Sequence, residues 1–131
     1  MQDLSKLPGL QLLNQEKPGQ EQVELFLSCR QLKNMDALSL TDPQVRIYTI
    51  DNGKETLFGQ TEMILDNLNP NFATTFKMNY QFEVKQNLRF EVIDIDGPNK
   101  WELVGNVYTT LGEIVGSKNS TAIFDIKNKN K

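Results

Sequence analysis

Between residues 23 and 127 apolar side chains recur at every second position, and this period is what most narrows the folds open to the chain. Val23, Leu25, Leu27 and Cys29 alternate with Glu24, Phe26, Ser28 and Arg30. Val45, Ile47 and Thr49 alternate with Arg46, Tyr48 and Ile50, and Leu88, Phe90 and Val92 with Arg89, Glu91 and Ile93. Successive side chains of a strand point to opposite faces, so this pattern marks strands that lay one face on a core. Strands are predicted over 23–30, 44–50, 57–66, 73–80, 87–94, 103–109 and 121–127, with one helical turn over Leu111–Val115. Turn chemistry separates them: Asp51-Asn52-Gly53 is a hairpin signal, Asn69-Pro70 marks a second turn, and Asp96-Gly97-Pro98-Asn99 a third. Many short strands without a long amphipathic helix predict an all-β fold, an antiparallel sandwich. Pro8, Gly9, Pro18 and Gly19 break up the start of the chain. The expected organisation is an N-terminal tail over 1–20, one domain over 21–127 and a short basic tail over 128–131.

Composition excludes several functions. A net charge of −3 and a pI near 5.0 argue against bulk affinity for nucleic acid. No apolar run is long enough for a membrane span or a secretory signal. The 131 residues include no histidine, which removes the commonest general base, the Ser-His and Cys-His nucleophile pairs and most zinc sites. The glycines are scattered singly, with no phosphate-cradling loop, so no enzymatic reading stands. Cys29 is the single cysteine and cannot form an internal disulfide, which makes a reducing, cytoplasmic setting the default. Its place in the alternation predicts a buried structural thiol.

The residues that carry chemical information are carboxylates near strand ends. Asp36 and Asp42 bracket the segment Met35-Asp36-Ala37-Leu38-Ser39-Leu40-Thr41-Asp42-Pro43. Asp94 and Asp96 open another loop, and Glu102 follows it. Calcium takes six to eight oxygens from carboxylates and loop carbonyls, and carboxylates held close together repel unless a cation lies between them. Spacing alone leaves two readings open, a shared metal site or ordinary turn residues, because Asp also bends backbone by bonding its neighbours. An EF-hand is excluded: Gly97 comes too early after Asp94, and Gly105 occupies the position of the bidentate glutamate.

Three ordered stations resemble those of a C2 domain. They are the first loop ending in Thr41-Asp42-Pro43, the Leu68-Asn69-Pro70-Asn71-Phe72 turn followed by Thr75-Phe76, and Asp94-Ile95-Asp96 with Glu102-Leu103-Val104-Gly105. The resemblance covers about residues 21–127. Ser28-Cys29-Arg30, the stretch from Asn79 to Val92, and Thr110-Leu111-Gly112-Glu113-Ile114-Val115 are most similar to the first C2 domain of copines, cytosolic proteins that move to phospholipid membranes when calcium rises. The resemblance implies a C2-like sandwich of about eight strands with type II topology. It implies calcium ligands at Asp36, Asp42, Asp94, Asp96 and Glu102, with Glu102 standing where the family usually has Asp. Phe72 replaces the commoner Trp of the Asn-Pro turn. Copines continue with an eighth strand and a further domain, whereas this sequence stops soon after 121–127. A fragment of a longer protein is therefore expected; the alternatives are that residues around Leu10–Leu13, or another chain, take the place of the last strand.

The function so implied is calcium-dependent binding to anionic phospholipid membranes by a cytoplasmic, peripherally attached module. Leu38, Leu40, Lys100 and Trp101 are the expected membrane-binding residues. Trp101 has a second reading, in which it folds back on the base of its loop. Lys77, Lys85 and Arg89 are read as solvated strand residues rather than a phosphoinositide stripe. The competing function is a calcium-independent module for protein partners, in which the acidic loops bind no metal.

Overall fold

The structure, a computed structural model, describes residues 19–35 and 38–128. The strands are β1 (Gln20–Ser28), β2 (Pro43–Asp51), β3 (Lys54–Gln60), β4 (Asn71–Gln81), β5 (Asn87–Gly97) and β6 (Lys100–Thr110), followed by the short helix α1 (Leu111–Val115) and a 3-10 turn over Lys118–Ser120. A four-stranded sheet in the order β3-β2-β5-β6 faces a two-stranded sheet of β1 and β4, and every pairing is antiparallel. Asn52 and Gly53 both take positive φ, 52° and 79°, so the two-residue β2–β3 connection has the sense of twist that a tight hairpin requires.

The alternation sorts side chains onto two faces, as the period predicts. Val45, Ile47, Leu88, Phe90 and Val92 of the large sheet are buried against Leu25, Phe72, Phe76 and Met78 of the small one. Each such burial contributes roughly 1.5–3 kcal/mol, and together they hold the sheets face to face. Cys29 lies partly buried against this core. Burial pushes its thiol up to about 11, with Arg30 pulling weakly the other way, so it stays protonated and unreactive.

The opposite face of the large sheet is polar and internally neutralised. Arg89 lies over the Tyr48 ring at 4.2 Å and bonds both Glu55 oxygens at 2.8 and 2.9 Å, Glu91 at 3.1 Å and Asn106 at 2.9 Å. Arg46 stacks on Trp101 at 4.4 Å and approaches Glu91 at 3.9 Å. Lys77 belongs to β4 in the other sheet and Lys85 to the β4–β5 connection, so neither joins Arg89 in a stripe.

Two segments depart from the predicted strands. The stretch predicted over 57–66 is a strand only to Gln60; beyond it the chain runs irregularly beside β2, with Thr61 N–H donating to Val45 O at 2.8 Å and Ile64 N–H to Pro43 O at 3.0 Å. Over 121–127 the burial still alternates, with Ala122, Phe124 and Ile126 turned inward, but only Lys127 pairs, with Asn106. Period fixes which side chains face the core; a strand also needs a neighbouring backbone to bond, and over most of 121–127 none of the described strands supplies one.

Candidate metal centre

The carboxylates are assembled by the β5–β6 hairpin. Val92 pairs with Gly105, but Ile93 pairs with Leu103, so Val104 is an extra residue that shifts the register. The shift sets Asp94 directly opposite Glu102 and Ile95 opposite Trp101. Residues opposite each other in an antiparallel pair share a face. Asp94 and Glu102 therefore project together, and Asp96, itself at a second irregularity before Gly97↔Lys100, joins them. One carboxylate oxygen from each of Asp94, Asp96 and Glu102 lies within 4.8 Å of the others. Asp94 is fully buried at the base of the group, while Asp96 and Glu102 are exposed.

Asp42 adjoins this group through backbone bonds. Its N–H donates to Asp94 Oδ1 at 2.9 Å, and its carbonyl accepts from Ile95 N–H at 3.0 Å. Asp42 Oδ1 in turn accepts the N–H of Asp66 at 2.7 Å, so the 61–67 segment fixes the direction of this carboxylate. Thr41, fully buried, accepts from Met35 N–H and donates to Lys33 O, both at 2.9 Å, which ties the first loop back onto β2. A groove of about 590 Å³ opens here, with Asp42 and Asp96 among its walls and Leu38 and Met63 as apolar lining.

The 61–67 segment is itself pinned from the other side. Glu62 accepts Ala73 N–H at 2.6 Å, the Thr74 hydroxyl at 2.7 Å and Thr74 N–H at 3.2 Å. These bonds, led by the Ala73 amide, hold its carboxyl down at about 2.

Of the five expected ligands, the hairpin brings three together and places Asp42 beside them; Asp36 lies outside the described residues. Leu38 is fully exposed at the same end and Leu40 is 41% exposed. Lys100 occupies the hairpin turn. Trp101 is not at that turn. It pairs with Ile95 on the face opposite the carboxylates and lies over Arg46, because neighbouring residues of a strand point oppositely. Sequence reading missed Asp66 and Met63, since a strand drawn through 57–66 does not bend toward this end. The signal for them was the pair of apolar residues Met63 and Leu65 just before Asp66-Asn67.

The donor set here is all oxygen, on paired strands, with a buried carboxylate at its base and exposed ones at its mouth. That fits a hard divalent cation with high coordination number, calcium before zinc.

Comparison with known proteins agrees with this architecture. The family model described as C2 domain matches residues 23–126. Copine-E of Dictyostelium discoideum is 43% identical over 112 residues, covering 80% of this chain and 19% of that protein. Copine-B of the same organism is 39% identical over 118 residues, covering 83% of this chain and 22% of that protein. The chain thus spans about a fifth of the length of the copines it matches. Among solved structures, the calcium-bound tandem C2 domains of Extended-Synaptotagmin 2 share the fold with a TM-score of 0.55 at 24% identity, over 73% of this chain and 35% of that one. With its sheets, its Asn-Pro turn and its acidic hairpin in family order, the chain belongs to the C2 domain family and is similar to the C2 domains of copines.

Proposed function

We propose that this domain is a non-catalytic, calcium-dependent module that attaches to anionic phospholipid membranes from the cytoplasm. The observation that carries the reading is the meeting of Asp94, Asp96 and Glu102 oxygens within 4.8 Å, with Asp42 bonded to Asp94 beside them. These four residues, with Asp36 from the first loop, would hold the cation. Calcium, when bound, supplies positive charge and coordination positions open to lipid phosphate oxygens. The protein contributes the rest. The hairpin pre-aligns its three carboxylates, Asp66 orients Asp42, Lys100 adds a cation at the turn, and Leu38 and Leu40 offer apolar side chains to the interface. The similarity to copines supports the same reading. Among the described residues no helix is long and apolar enough to cross a membrane.

Trp101, the single tryptophan, sits on the reverse face of the metal-binding hairpin and gives a direct readout. Titration with calcium is expected to change its fluorescence saturably and to raise the melting temperature, both reversed by chelator. A ligand held only by the folded state at a hundredfold excess over its Kd adds roughly 2.7 kcal/mol. No response of either signal at millimolar calcium would favour the calcium-independent, protein-binding alternative.

A further inference from the structure

We propose that the segment between β3 and β4 supplies a membrane anchor of its own, through Met63 and Leu65, and that Trp101 supplies none; this rests on the membrane reading above. Met63 is 40% exposed and Leu65 68% exposed, while Ile64 between them packs on the core. The backbone around them is fixed at four points: Thr61 to Val45, Ile64 to Pro43, Asp66 to the Asp42 carboxylate and Asn67 to Thr41. Glu62 staples the same segment to Ala73 and Thr74. Two apolar side chains are thus held out to solvent on a pinned backbone, so little ordering cost remains when they are buried.

Their position selects the occupant. Met63 lines the groove whose other walls include Asp42 and Asp96, and Leu65 immediately precedes Asp66, whose amide holds Asp42. Fully exposed Leu38 lines the same groove. Apolar side chains standing beside a cation-binding carboxylate group match a surface that offers anionic oxygens and hydrocarbon at adjacent depths. A phospholipid bilayer is that surface. The hairpin itself turns through Gly97-Pro98-Asn99-Lys100, with no large apolar side chain, and Trp101, though 44% exposed, lies over Arg46 on the face of the sheet opposite the carboxylates. The anchor beside the hairpin is therefore the neighbouring segment.

The test uses vesicles of phosphatidylserine and phosphatidylcholine with calcium. Met63→Gln plus Leu65→Gln is expected to weaken vesicle binding by about tenfold or more, and Leu65→Gln alone, outside the groove, to weaken it while leaving calcium titration of the free protein unchanged. Trp101→Phe should bind as wild type does. With brominated acyl chains, a tryptophan placed by Leu65→Trp in the Trp101→Phe background should be quenched, and native Trp101 should not. If wild type does not bind vesicles in calcium, the membrane reading falls and this inference with it. If wild type binds and the double variant binds equally, or native Trp101 is quenched while Leu65→Trp is not, the inference alone falls. A double variant that binds vesicles normally but loses self-association in sedimentation would give the patch to a second copy of the chain and overturn the proposal.

Discussion

Single carboxylates in this domain are set to different tasks by what touches them. Asp94 is buried at the base of the carboxylate group and accepts the Asp42 amide. Asp94→Asn keeps the shape and the acceptor oxygen but removes the charge. It is predicted to weaken calcium binding by about tenfold or more, measured by calorimetric titration, while the metal-free protein melts no lower than wild type because carboxylate repulsion is relieved. Wild-type calcium affinity in this variant would contradict the assignment. Glu62 is a structural carboxylate. Its folded value of about 2 lies below its ordinary 4.5, so its contribution to stability is complete above about pH 4.5 and is lost as pH falls through 2. Glu62→Gln should therefore lower the denaturation midpoint at neutral pH, with the gap between variant and wild type closing progressively below pH 4.5. A gap that stays constant down to pH 2 would show that the ionised carboxylate is not what holds Ala73 and Thr74.

At the scale of elements, period and turn chemistry made most of the sandwich legible. The alternation around Leu25, Ile47 and Phe90 placed the core faces, and Asn52-Gly53 placed the hairpin turn. What the pattern could not convey was partnership. The 121–127 segment alternates like a strand yet has a single bridge, and 61–66 carries apolar residues yet continues beside β2 without regular strand pairing after Gln60. Trp101 likewise could not be placed until the register was known, because one extra residue at Val104 decides which face each later residue takes. The candidate site was half legible. Asp94, Asp96 and Glu102 were found by spacing and resemblance, whereas Asp66 and Met63 needed the path of the 61–67 segment. The same register explains Gly105. A Cβ there would collide with the Ile126 side chain and stand 3.0 Å from the Lys127 backbone. Gly105→Val is predicted to cost about 1–3 kcal/mol in chemical denaturation by expelling the 126–127 segment from β6. Unchanged stability would mean that this segment does not dock there in solution.

For the molecule as a whole, the proposed switch is electrostatic first and apolar second. The chain carries a net charge of −3, and the five proposed ligands would together carry about −5 when ionised. A cytoplasmic leaflet is itself negative, so on this proposal the metal-free domain would be repelled where it needs to dock. Two cations of charge +2 would reduce a local sum of about −5 to about −1, and Lys100 would then tip the balance toward attraction. Only at that distance would Leu38 and Leu40, as proposed anchors, gain the roughly 1.5–3 kcal/mol available to each fully buried apolar side chain. Arg46 and Arg89 are already paired elsewhere, since both face Glu91 and Arg89 is further held by Glu55. The central claim is that calcium gates attachment, and co-sedimentation with phosphatidylserine vesicles tests it most directly. The domain should pellet in calcium, remain in the supernatant in chelator, and pellet progressively less in calcium as salt is raised. Equal pelleting with calcium and with chelator would contradict the account.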